Sequence, residues 1–212
     1  MASNPKSTLR TIMPTAHRVL LERCIRSKLV GVKGKVLVIG AGCDPYKSLL
    51  PNAQSVLVTD IDDQLGLMDE IVDAHELPYN DNSFDAVIAI EVFEHLHTPA
   101  LALQECHRVL SPNGLLIFSI PFMFHVHGDP SDYQRFTRHG ILKLTEVFSA
   151  VHLDEIGGRL AVISDILTTA SKIMIPLRIF NNIFRLPFLS ELVASDCPSG
   201  YWIEAVKHHI QD

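Results

Sequence analysis

Five short apolar runs follow one another along the first half of the chain, at residues 35–40, 55–60, 70–73, 84–90 and 115–120, each of strand length and each separated by a segment able to hold a helix or turn. A run that is apolar without alternation is buried on both faces. Strands of that kind belong to a parallel sheet covered by helices, so the spacing predicts an α/β doubly wound domain. Residues 15–30 predict a helix opened by Pro14, and residues 98–110 predict another with Pro99 in its first turn and Ser111-Pro112-Asn113-Gly114 as its stop. Beyond Pro121 a polar, histidine-rich stretch leads to a predicted helix at 140–148, a strand at 151–156 and a closing strand at 201–207.

Composition fits a core of this kind. The 212 residues are 47% hydrophobic and 20% charged, which argues against disorder over most of the length. A net charge of -6 argues against binding to nucleic acid, whose phosphates would repel it. That charge is uneven: Lys6, Arg10, Arg18, Arg23, Arg26, Lys28, Lys33 and Lys35 face only Glu22 within the first 35 residues. We therefore divide the chain into a basic N-terminal helical arm, 1–34, and a domain, 35–212. The arm reads as a solvated helix face, as a contact for anionic lipid or a phosphorylated partner, or as a transit-peptide-like start. Cys24, Cys43, Cys106 and Cys197 form no C-x-x-C pair and follow no secretory signal, so they are expected as reduced thiols in a cytoplasmic setting. No uninterrupted apolar run reaches the roughly 18 residues that a membrane-spanning helix needs.

Chemistry concentrates at the ends of the apolar runs. Val36-Leu37-Val38-Ile39 enters Gly40-Ala41-Gly42-Cys43-Asp44-Pro45, a G-x-G turn whose glycines let the backbone approach a ligand closely. A dinucleotide fingerprint requires a third glycine where Pro45 stands, and proline lacks the amide a pyrophosphate uses, so the turn suits a nucleoside ligand without phosphates better than NAD. Asp60 ends the second run, where an acid can accept hydrogen bonds from both hydroxyls of a ribose, and Ile61 follows it. Asp62 and Asp63 read as caps of a following helix. Asp73-Ala74 ends the third run within reach of an adenine amino group, or else is a turn acid. The fourth run stops abruptly at Glu91-Val92-Phe93-Glu94-His95-Leu96. Ligands of open α/β sheets bind at such strand carboxyl ends.

Together these segments resemble the class I S-adenosylmethionine-dependent methyltransferases, in the small-molecule branch that includes ubiquinone-biosynthesis-like enzymes. The resemblance covers residues 35–122 and includes Arg108-Val109-Leu110-Ser111-Pro112-Asn113-Gly114-Leu115, which matches the family's helix-to-strand turn. It implies a Rossmann-like doubly wound seven-stranded sheet, mostly parallel with an antiparallel last strand and helices on both faces. It also implies S-adenosyl-L-methionine as cofactor, held by Gly40, Ala41, Gly42, Asp60, Ile61, Asp73, Ala74, Glu91 and Val92. Charge agrees, since a sulfonium is cationic and thirteen acids face the single base Lys47 between Val36 and Glu105.

Methyl transfer is an in-line displacement that needs no protein nucleophile, although a hydroxyl acceptor benefits from a base. Residues 121–137 resemble a P-F-x4-H-x2-P-x-D-Y-x-R-F-T pattern found in a subset of these methyltransferases tied to glycan or secondary-metabolite pathways. We take His127, Asp132 and Arg135 as the candidate catalytic residues: His127 as base or acceptor contact, with Asp132 orienting it or pairing with Arg135. The alternative is an ion pair and helix cap, through Asp132, Arg135 and Thr137, that only fixes a lid. His95-x-His97 and His125-x-His127 lack the spacing of a zinc-protease helix pair, so no obligatory metal is expected. The apolar insert 159–194 reads as a lid, an interfacial membrane helix or a homodimer interface, the first two favouring an apolar or lipid-linked acceptor; the expected activity is methyl transfer to a small or lipid- or glycan-linked acceptor, at oxygen. Two other functions fit parts of the pattern: a catalytically silent binding protein of the same fold, and a nicotinamide-dependent oxidoreductase.

Overall fold

The computed structural model describes residues 12–42, 46–63, 65–128, 131–186 and 196–208. Its seven strands are β1 (Gly34–Ile39), β2 (Ala53–Asp60), β3 (Glu70–Ile71), β4 (Phe84–Ile90), β5 (Leu110–Pro121), β6 (Ala150–Ile156) and β7 (Gly200–Val206). They form one sheet in the order β3-β2-β1-β4-β5-β7-β6. The pairs β1 with β2, β1 with β4, β2 with β3 and β4 with β5 are all parallel. Backbone bonds from Phe122 to Ser199 and from Lys207 to Gly114 make β7 antiparallel to β5, and those from Ser199 to Ile156 and Ser149 to Val206 make it antiparallel to β6. The expected Rossmann-like sheet with an inserted antiparallel closing strand is therefore present.

The runs of β1, β4 and the second half of β5 are buried as expected, whereas β2 is only partly buried and both residues of β3, at the edge of the sheet, are exposed, Ile71 at 67%. Val36, Leu37, Val38 and Ile39 of β1 are all inaccessible, as is every residue of β4 except Asp85. Three helices are placed near their predicted positions: α1 (Ala16–Lys28), α2 (Pro99–Val109) and α3 (Arg138–Leu144). Helix α4 (Arg159–Thr169) opens the apolar insert. Phe93 and Phe118 meet edge to face at 4.9 Å in the core beneath the carboxyl end of β4.

Local differences from the expected boundaries have physical causes. Strand β3 stops at Ile71 rather than 73 because the Asp73 carboxylate turns the chain by accepting the His75 amide at 2.9 Å. Ser111-Pro112-Asn113-Gly114 lies inside β5 as a bulge: β5 advances from Leu110 to Leu115 while β4 advances only from Phe84 to Ala86, and Asn113 takes φ 63°. Helix α3 starts earlier than predicted because Thr137 caps it, its hydroxyl accepting the Gly140 amide at 3.2 Å. Asp62 and Asp63 precede no helix among the described residues, and Asp63 instead closes a turn by accepting the Leu67 amide at 2.8 Å.

The chain forms two compact units. One comprises Lys28–Pro121, His127–Asp154 and Trp202–Asp212, and holds most of the sheet. The other draws on Met1–Ser27, Phe122–Val126 and Glu155–Tyr201. Within this second unit, buried Asp165 of α4 accepts the amides of Ala16 and His17 at 2.6 and 2.9 Å and so caps the N-terminus of α1, whose own first turn carries no acid. After α4, Lys172–Arg185 winds as a 3-10 helix with Pro176 inside it. It is anchored by buried Asn181, which donates to the Pro14 carbonyl at 3.0 Å and accepts from Ser164. Leu160, Ile163, Ile166, Leu167, Ile173 and Phe180 are more than half exposed, with Ile173 at 83%. No helix among the described residues is long and apolar enough to cross a membrane.

Candidate functional site

The four parallel strands β1 to β4 deliver their carboxyl ends to one edge of the sheet, and the candidate cofactor residues lie there. Gly40 leaves β1 at φ 64°, and the side chain of Val92 sits where its Cβ would be, with Val92 Cγ2 only 2.5 Å from that point. Glycine is thus required at position 40 both by backbone conformation and by a neighbour 52 positions further along the chain. Ala41 donates to the Thr59 carbonyl at 3.2 Å. Gly42, at φ 59°, donates its amide to Asp60 Oδ2 at 2.8 Å, and no other described group stands within 4 Å of the place its Cβ would take. The turn residues Cys43, Asp44 and Pro45 lie outside the described residues.

Asp60 is therefore joined to the glycine turn. Its second oxygen accepts the Ile61 amide at 2.7 Å, and the Ile61 side chain is 59% exposed beside it. An aliphatic surface next to an acid suits the base and ribose of a nucleoside. Asp73 lies just past β3, and its Oδ1 takes both the amide and the Nδ1 of His75, at 2.9 and 2.7 Å. The His75 amide, above all, holds the Asp73 carboxyl below its ordinary range. His75 in turn stacks on His97 at 4.2 Å. Ala74 is buried beside Asp73.

Sequence reading missed what holds that loop in place. Arg108, on α2, donates to the carbonyls of Leu77 and Tyr79 at 2.8 and 2.6 Å and to Asp81 at 2.9 Å. Glu105 pairs with Arg108 at 2.7 Å and accepts the Leu77 amide at 2.8 Å. The Arg108 hydrogen bond keeps the Glu105 carboxyl below its ordinary range. A Glu and Arg three apart on a helix is the detectable signal, but nothing local points to their targets.

At the end of β4, Glu91 adopts φ 56°, a strained conformation for a residue with a side chain. Ser119 of β5 holds it there, donating its hydroxyl to Glu91 Oε1 at 2.8 Å. A 3-10 turn, Phe93–His95, follows and carries the next two ionisable groups. Glu94 is fully buried, and neither of its carboxylate oxygens has a hydrogen-bond partner among the described residues. Burial, and then the negative charge of Glu91, push its carboxyl well above the ordinary range.

The histidine-rich stretch folds onto this turn. Tyr133 donates its amide to the Glu94 carbonyl at 2.9 Å, and Gln134 donates to the Leu96 carbonyl at 2.9 Å. His127 places Nδ1 3.3 Å from Asp132 Oδ2, and the same oxygen accepts the His127 amide at 2.9 Å. Arg135 clasps both oxygens of Asp132. Asp132 thus contacts His127 and Arg135 at once. Burial tends to raise the Asp132 carboxyl, but Arg135 and the His127 amide outweigh it and leave the group below its ordinary range. The other histidines part company: His97 belongs with His75, and His125 stacks near Phe124 at 4.3 Å in the second unit. Asp129 and Pro130 lie outside the described residues.

A sheet of this order, with a glycine turn after β1 and an acid at the end of β2, is the Rossmann-like fold that solved methyltransferase structures share. Residues 39–118 match the family model of a methyltransferase domain. A "probable S-adenosylmethionine-dependent methyltransferase" of Mycobacterium tuberculosis is 48% identical over 46 residues, 22% of this chain and 17% of that protein. Malonyl-[acyl-carrier protein] O-methyltransferase 1 of Coxiella burnetii is 46% identical over 43 residues, 20% of this chain and 15% of that one. The chain spans less than a third of the length of the curated relatives it matches. Among solved structures, an S-adenosylmethionine-dependent methyltransferase from Mesorhizobium loti superimposes with a TM-score of 0.60 at 16% identity, covering 89% of this chain and 98% of that one.

Proposed function

We propose that this chain is an S-adenosylmethionine-dependent methyltransferase acting at oxygen on a small or lipid- or glycan-linked acceptor. The observation that carries the cofactor assignment is the bond between the Gly42 amide and the Asp60 carboxylate at 2.8 Å, which fixes an acid at the mouth of an open glycine turn. In this reading Asp60 accepts the ribose hydroxyls, Ile61 and Ala74 flank the adenine, and Asp73 receives its amino group through the oxygen that His75 leaves free of its two bonds. Gly40, Ala41, Gly42, Glu91 and Val92 shape the remaining wall. When bound, the cofactor supplies a methyl group on a positively charged sulfur.

On the acceptor side, His127 takes the hydroxyl proton. Asp132 orients its ring from Nδ1, and Arg135 anchors Asp132. A lipid-linked acceptor is supported by the exposed apolar residues of 160–180, with Arg178 close in sequence to Ile173 and Phe180. If anionic liposomes carry the protein upward on flotation, that face meets lipid; retention in the soluble fraction removes the membrane part of the proposal.

The cofactor assignment is tested by thermal shift. S-adenosylhomocysteine should raise the unfolding midpoint and NADH should not, because only a ligand of the native state stabilises it by mass action. A rise with NADH alone would favour an oxidoreductase instead. Binding of S-adenosylhomocysteine without methyl release over a broad acceptor panel would favour a silent binding protein. His127→Ala should lower turnover by about two to four orders of magnitude, the usual worth of a general base, with cofactor affinity unchanged.

A further inference from the structure

Each H-x-H pair is split, and one histidine from each comes to the same place. The rings of His95 and His127 meet edge to face at 5.1 Å. His95 Nδ1 is hydrogen-bonded to the Ser131 carbonyl, an oxygen that can only accept, and His127 Nδ1 lies 3.3 Å from Asp132 Oδ2. A neutral ring donating from Nδ1 carries its lone pair on Nε2, which is how ligating histidines are oriented by a carbonyl or carboxylate behind them. Against these rings lies Glu94, fully buried, with both oxygens lacking a hydrogen-bond partner among the described residues and Oε1 3.6 Å from His95 Nε2. One ligand atom from each of Glu94, His95 and His127 falls within 4.8 Å of the others.

We propose that Glu94, His95 and His127 bind a divalent transition-metal ion of the zinc class, with Asp132 and the Ser131 carbonyl holding the two imidazoles in the ligating tautomer. Two imidazole nitrogens and one carboxylate oxygen select against magnesium and calcium, which take oxygen ligands. Three protein ligands also leave a position open for water or an acceptor oxygen. The expectation of no metal considered spacing within each H-x-H pair, whereas this set joins residues 32 positions apart in sequence.

Binding of the ion does not depend on the methyl-transfer reading, but the use of its open position does. With the ion in place, His127 Nε2 is a ligand and the ion lowers the proton affinity of an acceptor hydroxyl. Without it, the same nitrogen is the base.

The test uses the full chain, free of any affinity tag and stripped with a chelator. Zinc is titrated against a chromogenic chelator, and cobalt is followed by its visible absorption. The wild type should bind about one equivalent of either ion, with cobalt bands typical of four or five ligands. Glu94→Gln and His127→Ala should each weaken zinc binding by more than about tenfold, and Asp132→Asn by about 10–100-fold, as expected for a group that orients a ligand. His125→Ala and His97→Ala should bind like the wild type. Equal zinc affinity in wild type, Glu94→Gln and His127→Ala would overturn the proposal. If Glu94→Gln fails to fold, His127→Ala decides alone, since that side chain is one-third exposed. A wild type that binds S-adenosylhomocysteine but not zinc refutes the metal site and leaves the cofactor assignment standing; the opposite pattern does the reverse.

Discussion

Gly40 and Gly42 both occupy left-handed backbone, at φ 64° and 59°, yet replacing each with alanine should produce different failures. The shared cost is about 1–2 kcal/mol for placing a Cβ in that conformation. At position 40 the new methyl group also meets Val92, with Cγ2, Cγ1 and Cβ at 2.5, 3.1 and 3.4 Å. Even the rotamer that turns the Val92 Cβ hydrogen toward the new methyl group leaves a methyl near 3.1 Å and Cβ at 3.4 Å, and the residue is buried, so its surroundings must shift. Overpacking of that kind adds about 1–3 kcal/mol, for a total near 2–5 kcal/mol. At roughly 2–4 °C per kcal/mol for a chain of this size, Gly40→Ala should lower Tm by about 4–20 °C and Gly42→Ala by only about 2–8 °C. Among the described residues nothing stands within 4 Å of where the methyl group at position 42 would point, and that space is what the proposed cofactor fills. Gly42→Ala should therefore weaken S-adenosylhomocysteine binding by at least about tenfold, equivalent to 1.4 kcal/mol. Thermal unfolding and calorimetric titration of both variants check this. Wild-type affinity in Gly42→Ala, or a greater loss of Tm there than in Gly40→Ala, would refute the assignment of the glycine turn.

Three further outcomes follow from named contacts. Asp165→Ala strips two buried amides of their acceptor at the start of α1 and should cost about 2–4 kcal/mol, read by chemical denaturation; a loss below 1 kcal/mol would show that water replaces the carboxylate. Glu105 has a folded-state carboxyl pKa below its unfolded value of about 4.3, so its stabilising contribution is complete above that pH and fades as pH falls through the lower value. The Tm gap between wild type and Glu105→Gln should accordingly be widest near neutral pH, shrink as pH falls below the unfolded value, and narrow with added salt because Arg108 is partly exposed; a gap that widens in acid contradicts the Arg108 pairing. Burial pushes the Cys106 thiol up to about 12, so native protein should label at Cys24 and Cys197 well before Cys106, and peptide mapping that finds Cys106 modified first would contradict its burial.

What the chain disclosed beforehand, and what it withheld, divides along the range of the interactions. Strands β1, β4 and β5 were legible because burial on both faces demands an unbroken apolar run, β2 from its apolar run although it is only partly buried, and Gly40, Asp60 and Asp73 because they stand where those runs end. The bulge in β5 was half legible: Pro112 and Asn113 announce a break, but only pairing with β4 turns that break into a detour within one strand. The requirement for glycine at 40 by Val92, and the hold of Arg108 on residues 77–81, depend on packing between distant segments and leave no local signature. The histidines show the same limit. Neither H-x-H pair has the helical i, i+4 spacing of a zinc-protease pair, and no cysteine cluster accompanies them, so local spacing pointed to no metal. The fold separates each pair: the return of residues 131–135 to the turn after β4 brings His127 against His95 and Glu94, while His97 stacks on His75. A buried carboxylate with no donor among the described residues is the physical trace of that convergence, and only the folded chain could display it.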